Sequence, residues 1–254
     1  MDQQVYRADP SLKGKLRRRL ARLYRRRPAT RPLERPMVSF AFDDAPASAA
    51  RAGAEILEAR GLRGAYFICA GLAGRTAHMG PYATREDVLR LVEAGHEIAC
   101  HTYSHLDCGK ADVGAIEVEL DRNAEALAAW GVPRLATFAY PYGDVSPAAK
   151  RATARRFTCA RALHRGLIGP GSDLNQAPAV GIEGQDGEAL ARRWLARAEP
   201  RKAWLILFTH AVEAEPTPFG ASRDALGRLA DAALARGFEV VTVAEGARRM
   251  RATA

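Results

Sequence analysis

Apolar runs of five to eight residues recur along the chain: MVSFAFD from Met37, GAYFICA from Gly64, HEIAC from His96, LATFAYP from Leu135, RFTCAR from Arg156, QAPAVGI from Gln176, AWLILFTH from Ala203 and FEVVTV from Phe238. Short, nearly continuous apolar stretches rich in aromatic and β-branched residues are the pattern of strands covered on both faces. Between most of them lie Ala- and Arg-rich stretches with helical periodicity, at 47–60, 84–94, 111–130, 146–155, 187–199 and 221–236. Gly61, Gly95, Gly131 and Gly237 each follow such a stretch, where a helix-ending glycine belongs. Strand and helix alternating over one domain-sized length predicts a parallel α/β sheet, and eight candidate strands favour closing it into a barrel.

At 254 residues, 48% hydrophobic and 26% charged, the chain is long enough for one such domain. The net charge of +9 changes this picture only at one end. Residues 1–36 hold twelve Lys/Arg against three Asp/Glu, and the remaining residues are balanced. The division expected is a basic N-terminal arm, 1–36, and a (β/α) barrel domain, 37–254. A neutral body argues against a folded surface that grips nucleic acid. The arm contains LKGKLRRRLARLYRRRP, with Leu12, Leu16, Leu20 and Leu23 near helical spacing among cations. Two readings stand: an amphipathic helix on an anionic membrane surface, or a solvated arm. With neither an apolar signal core nor a run of about 18 apolar residues, the expectation is a cytoplasmic protein, able to touch the inner membrane face. Cys69, Cys100, Cys108 and Cys159 lack zinc-site spacing and are expected to be buried free thiols.

The carboxyl ends of barrel strands are where chemistry collects. The first strand ends in Asp43-Asp44, the third in CHTYSH with His101 and His105, the fourth in YPYG and the seventh in FTHAV with His210. Two histidines four apart meet on one side if the backbone turns helically after the strand, and a carboxylate completes a two-His, one-carboxylate cation site. One aspartate of the pair then binds metal while the other accepts a proton. His78, His96 and His164 lack such neighbours and read as structural or exposed. Trp130, Trp194 and Trp204 read as core.

FAFDDAP, HTYSH, FAYPYG and LILFTH, in this order, resemble the motifs of the polysaccharide deacetylases, carbohydrate esterase family four, and within it a branch close to the poly-N-acetylglucosamine deacetylases. The resemblance runs from about Met37 to Val243 and implies a distorted (β/α) barrel of seven or eight parallel strands. It implies Asp43 as general base, Asp44, His101 and His105 as metal ligands, Tyr142 as the backbone donor to the oxyanion and His210 as general acid. The implied cofactor is a divalent metal, zinc first, with cobalt or nickel as substitutes. The implied reaction removes N-acetyl groups from an amino sugar in a polysaccharide, oligosaccharide or glycan precursor. Tyr140, Pro141, Gly143, Tyr103 and Phe219 are candidate sugar contacts.

Three departures stand out. Ala139 occupies the place of an Arg that braces the base in many members. The fourth motif has no counterpart beyond Asp173, which reads as a turn residue. Ala45 and Ala211 replace a Gly and an Asp. Two other functions are compatible with these residues: a deacylase or deformylase of a lipid-linked or other small amide at the inner membrane face, and an inactive protein that only binds glycans.

Overall fold

The computed structural model describes residues 11–77 and 79–251, so His78 and the first ten residues of the expected arm lie outside it. In chain order the elements are α1 (Leu12–Leu23), β1 (Met37–Asp43), α2 (Ala54–Glu58), β2 (Ala65–Ile68), α3 (Arg85–Glu93), β3 (Glu97–Cys100), α4 (Val113–Trp130) and β4 (Thr137–Ala139). They continue with α5 (Pro147–Thr153), β5 (Cys159–Arg161), β6 (Val180–Gly181), α6 (Gly187–Ala198), β7 (Trp204–Thr209), α7 (Arg223–Ala235), β8 (Glu239–Val240) and α8 (Val243–Arg249). Each apolar run contains one of these strands, shortened to the residues that find a partner.

The strands neighbour one another in the order β5-β4-β3-β2-β1-β7-β6, all parallel, with β8 beside the start of β1. Ala177 joins the two edges. Its N–H donates to the Ala160 carbonyl and its carbonyl accepts from Ala162 N–H, both at 2.9 Å, while Val180–Gly181 pairs with β7. One residue thus stands in for most of a closing strand, and the result is a distorted (β/α) barrel.

Period two along each strand divides the core. On β1, Val38, Phe40 and Phe42 pack outward with Leu57, Leu91 and Leu120 beneath the helices. Met37 and Ala41 belong to the inner cluster with Ala65, Ala99, Ala139, Ile206 and Phe208. The barrel is plugged at the amino ends of its strands by Trp204, fully buried, whose Nε1–H donates to Ser39 Oγ at 2.9 Å. All four cysteines are buried free thiols, and Trp130 and Trp194 pack partly buried against the outer core.

The segment ahead of β1 is held against the domain. The Arg27 amide donates to Asp173 Oδ1 at 2.8 Å, Ala29 N–H to the Ser172 carbonyl at 2.8 Å and Thr30 N–H to the Met250 carbonyl at 2.8 Å. Asp173 also takes Lys150 Nζ at 2.5 Å, which makes it the structural joint that its turn position suggested. Among the described residues no helix is long and apolar enough to cross a membrane.

Candidate active site

Asp43 continues the inner face of β1 and so points into the barrel; Asp44 and Ala45 then reverse the chain with φ of 56° and 46°. Left-handed backbone is costly for a residue with a Cβ, roughly 1–2 kcal/mol each. Among the described residues, five of the seven non-glycine residues with positive φ fall on three segments of this site: Asp44, Ala45, Thr102, His105 and Tyr142. Such strain persists only where surrounding contacts over-determine it.

Those contacts are visible at HTYSH. His101 to His105 form a loop with positive φ at Thr102 and His105, and not the helical turn that the four-residue spacing suggested. Glu119 on α4 holds the loop: its Oε2 accepts from Tyr103 N–H at 3.0 Å, Ser104 N–H at 2.7 Å and Ser104 Oγ at 2.9 Å. One turn further along the same helix, Asn123 accepts from Ala70 N–H at 2.8 Å and donates to the Ile68 carbonyl at 3.0 Å. Two polar side chains of α4 therefore secure the loops that leave β2 and β3.

Asp44 Oδ1 lies 3.5 Å from His101 Nε2 and 3.4 Å from His105 Nε2. His101 Nδ1–H donates to the Ala139 carbonyl at 2.8 Å, which leaves the Nε2 lone pair facing Asp44. Burial, opposed by Asp44, lowers the His101 pKa to about 3, so the ring is neutral. Three oxygen and nitrogen ligand atoms within 4.8 Å of one another suit a divalent cation. The observed separations match the edge of a tetrahedron with bonds of about 2.1 Å. Cys69 lies alongside without joining the set: its Sγ donates to the His101 carbonyl at 2.9 Å, and burial followed by Asp44 keeps it a thiol.

Asp43 has a cationic partner that the sequence motifs did not reveal. Arg161, wholly buried on β5, forms an ion pair with Asp43. Its guanidinium lies between the Phe67 ring (4.7 Å to the centroid) and the Phe208 ring (5.0 Å). Burial, opposed by Glu183, lowers its pKa to about 9, which leaves it charged at neutral pH. Arg161 is the cross-strand partner of Ala139. The guanidinium missing from β4 is thus supplied by the adjacent strand, and Ala139 clears the space. The signal was present in RFTCAR: period two aims Arg161 to the same side as the buried Cys159, a lone cation on an apolar inner face.

His210 follows β7, and its Nδ1 meets Glu183 Oε1. Its ring stands edge-on to Phe208 at 6.2 Å and to Phe219 at 6.1 Å. Glu183, two residues beyond the short β6, was also missed, although VGIEG ends a strand in an acid. Asp43, His101, Arg161 and His210 are thereby gathered around the Phe67 and Phe208 rings at one mouth.

The expected sugar contacts divide. Tyr142 is exposed, with its ring 4.5 Å from that of His105, and Phe219 stands beside His210. Tyr140 cannot meet a sugar: it is wholly buried, its hydroxyl 2.9 Å from Thr153 Oγ1 and donating to the Asn175 carbonyl at 3.0 Å. Pro141 is buried. Gly143 has φ of 66° and packs so closely that a Cβ would lie 2.4 Å from Leu163. Both shape the turn that presents Tyr142. Tyr103 is covered by the Arg122 guanidinium, 4.1 Å above its ring.

The family model for polysaccharide deacetylases matches residues 30–158, half of the chain. The chain belongs to the polysaccharide deacetylase family. It is 30% identical over 91 residues to a bifunctional xylanase/deacetylase of Pseudobutyrivibrio xylanivorans, a match covering 36% of this chain and 14% of that much longer protein. Among solved structures, the chitin deacetylase of Colletotrichum lindemuthianum superposes with a TM-score of 0.62 at 16% identity, over 84% of this chain and 88% of that one. A carbohydrate esterase family four pseudoenzyme of Bacillus anthracis superposes with a TM-score of 0.59 at 15% identity, covering 85% and 66%. A deacetylase and a pseudoenzyme superpose on this deacetylase-family chain almost equally well, so the fold does not decide activity.

Proposed function

We propose that this chain is a metal-dependent N-deacetylase that hydrolyses the acetamide of an amino sugar in a glycan or glycan precursor. The observation that carries the reading is the pairing of both proton-transfer groups with orienting partners, Asp43 with Arg161 and His210 with Glu183, at the same mouth as the Asp44, His101 and His105 cluster. A protein kept only for binding has no use for two such pairs.

Asp44, His101 and His105 would hold a divalent ion, zinc being the best match to their donors, which would supply a Lewis acid for the amide oxygen and lower the pKa of water. Asp43 accepts the proton of the attacking water, its carboxylate aimed by the guanidinium between the phenyl rings. The backbone N–H of Tyr142 stabilises the oxyanion, an interaction worth about 3–4 kcal/mol where such donors have been removed. His210 gives a proton from Nε2 to the leaving nitrogen, while Glu183 on Nδ1 holds the ring in the required tautomer. Acetate and a free amine leave. Phe219 and Tyr142 offer aromatic surface to the sugar.

The test is acetate release from N-acetylglucosamine oligomers by the zinc- or cobalt-loaded protein, with bound metal quantified in parallel. His101→Ala should lose both metal and turnover. Undiminished turnover by that variant would refute the mechanism.

A further inference from the structure

An amphipathic helix resting on a globular domain normally turns its apolar stripe inward. Helix α1 does the reverse. Its buried residues are Gly14 and Ala21, while Leu12, Leu16, Leu20 and Leu23 are 84%, 57%, 49% and 72% exposed. These leucines and Tyr24 make up five of the eight large apolar side chains exposed among the described residues. The orientation is fixed from beneath. Arg17 pairs with the buried Asp144 at 2.8 Å, and Lys150 Nζ donates to the Ala21 carbonyl at 2.8 Å. The chain that follows is stapled too: Asn175 Nδ2 donates to the Arg25 carbonyl at 2.6 Å and Arg26 to the Gly171 carbonyl at 2.7 Å.

We infer that α1 is a membrane-surface site: its leucine stripe enters the interfacial layer of an anionic bilayer while the flanking cations meet lipid phosphates. On a helical wheel Lys15, Arg19 and Arg22 border one edge of the stripe and Lys13 the other, and residues 12–27 contain no acid. This charge pattern selects the occupant. A second copy docked symmetrically would set rows of cations face to face. Nucleic acid would satisfy the cations and leave four leucines in water. An anionic lipid surface satisfies both. Asp144, which holds Arg17, lies two residues beyond Tyr142, so the lipid-facing helix borders the catalytic mouth and would bring it to amino sugars carried at the bilayer surface. Only that last consequence depends on the proposed deacetylase activity.

The test is co-sedimentation of the full chain with vesicles of phosphatidylcholine alone and with about 30 mol% phosphatidylglycerol added. The wild type should pellet with the anionic vesicles only, and less so as salt rises. Leu16→Gln/Leu20→Gln should weaken this binding by at least about tenfold, through the lost apolar insertion. Because both leucines are about half-exposed, the variant should keep its melting temperature and its acetate release from soluble oligomers. Three results would overturn the inference: wild type left in the supernatant with anionic vesicles, equal pelleting of the leucine variant, or a sedimentation-velocity dimer that the variant converts to monomer. Failure of acetate release with intact vesicle binding would count against the catalytic reading alone.

Discussion

Arg161 is the residue on which the catalytic reading can be pressed hardest, because its partner carries a charge in a nearly dry place. Replacing it with Met keeps much of the volume between Phe67 and Phe208 and removes the guanidinium. At an effective dielectric of about 20, two charges about 4 Å apart attract by about 4 kcal/mol. Breaking a buried pair from one side costs about 3–5 kcal/mol, since the survivor stays desolvated. For a domain of this size that corresponds to a fall of roughly 10 °C in Tm. Asp43→Asn is expected to cost a similar amount by stranding Arg161. The double variant should lose well under the sum, because a neutral amide beside a thioether leaves no unpaired charge. Urea unfolding of the four proteins gives the coupling energy without reference to any substrate. Activity supplies the second arm: Arg161→Met should lower kcat/KM for acetylated oligomers by about 10²-fold or more, within what a positioned base contributes. Ala139→Arg, placed in an Arg161→Ala background, should recover part of it by returning the guanidinium from the adjacent strand. Additive stability losses, or full activity in Arg161→Met, would refute the role assigned to this pair.

Other outcomes follow from the same contacts. Glu119→Ala frees three donors of the loop between His101 and His105, and calorimetric titration with zinc should show affinity reduced by about 10–100-fold. Glu183→Ala should lower kcat by about tenfold or more with little change in KM, since it removes the partner of His210 and no sugar contact. Burial holds the His96 pKa down, and its Nδ1 accepts from Gly64 N–H at 2.9 Å. An unfolded histidine takes its proton near pH 6.5. Stability linked to His96 is therefore intact above that pH and declines as pH falls below it, and His96→Gln should flatten the slope of urea midpoint against pH in this range. Ala45→Gly should change stability by less than about 1 kcal/mol. Relief of the left-handed strain is offset by the entropy of glycine and by the loss of one buried methyl.

The strands and four of the site segments were legible because both rest on local rules: period two for burial, and the carboxyl ends of barrel strands for chemistry. What stayed hidden depends on pairs distant in sequence. The turn between His101 and His105 could not be told from a helical one without Glu119, 15 residues later. The outward face of α1 is decided by Asp144 and Lys150, 127 and 129 residues beyond their partners. Leucine spacing alone left two readings, a membrane-surface helix or a solvated arm, and did not show that the domain grips the opposite face of the helix. Arg161 shows a third case, in which the expected residue is absent and its charge arrives from the neighbouring strand. Ala139 stood out as a departure when judged by position. It is instead half of an exchange, since an arginine side chain at 139 and another at 161 would compete for one slot beside Asp43. The constraint on this barrel mouth is therefore a guanidinium at one point in space, and either of two adjacent strands can deliver it.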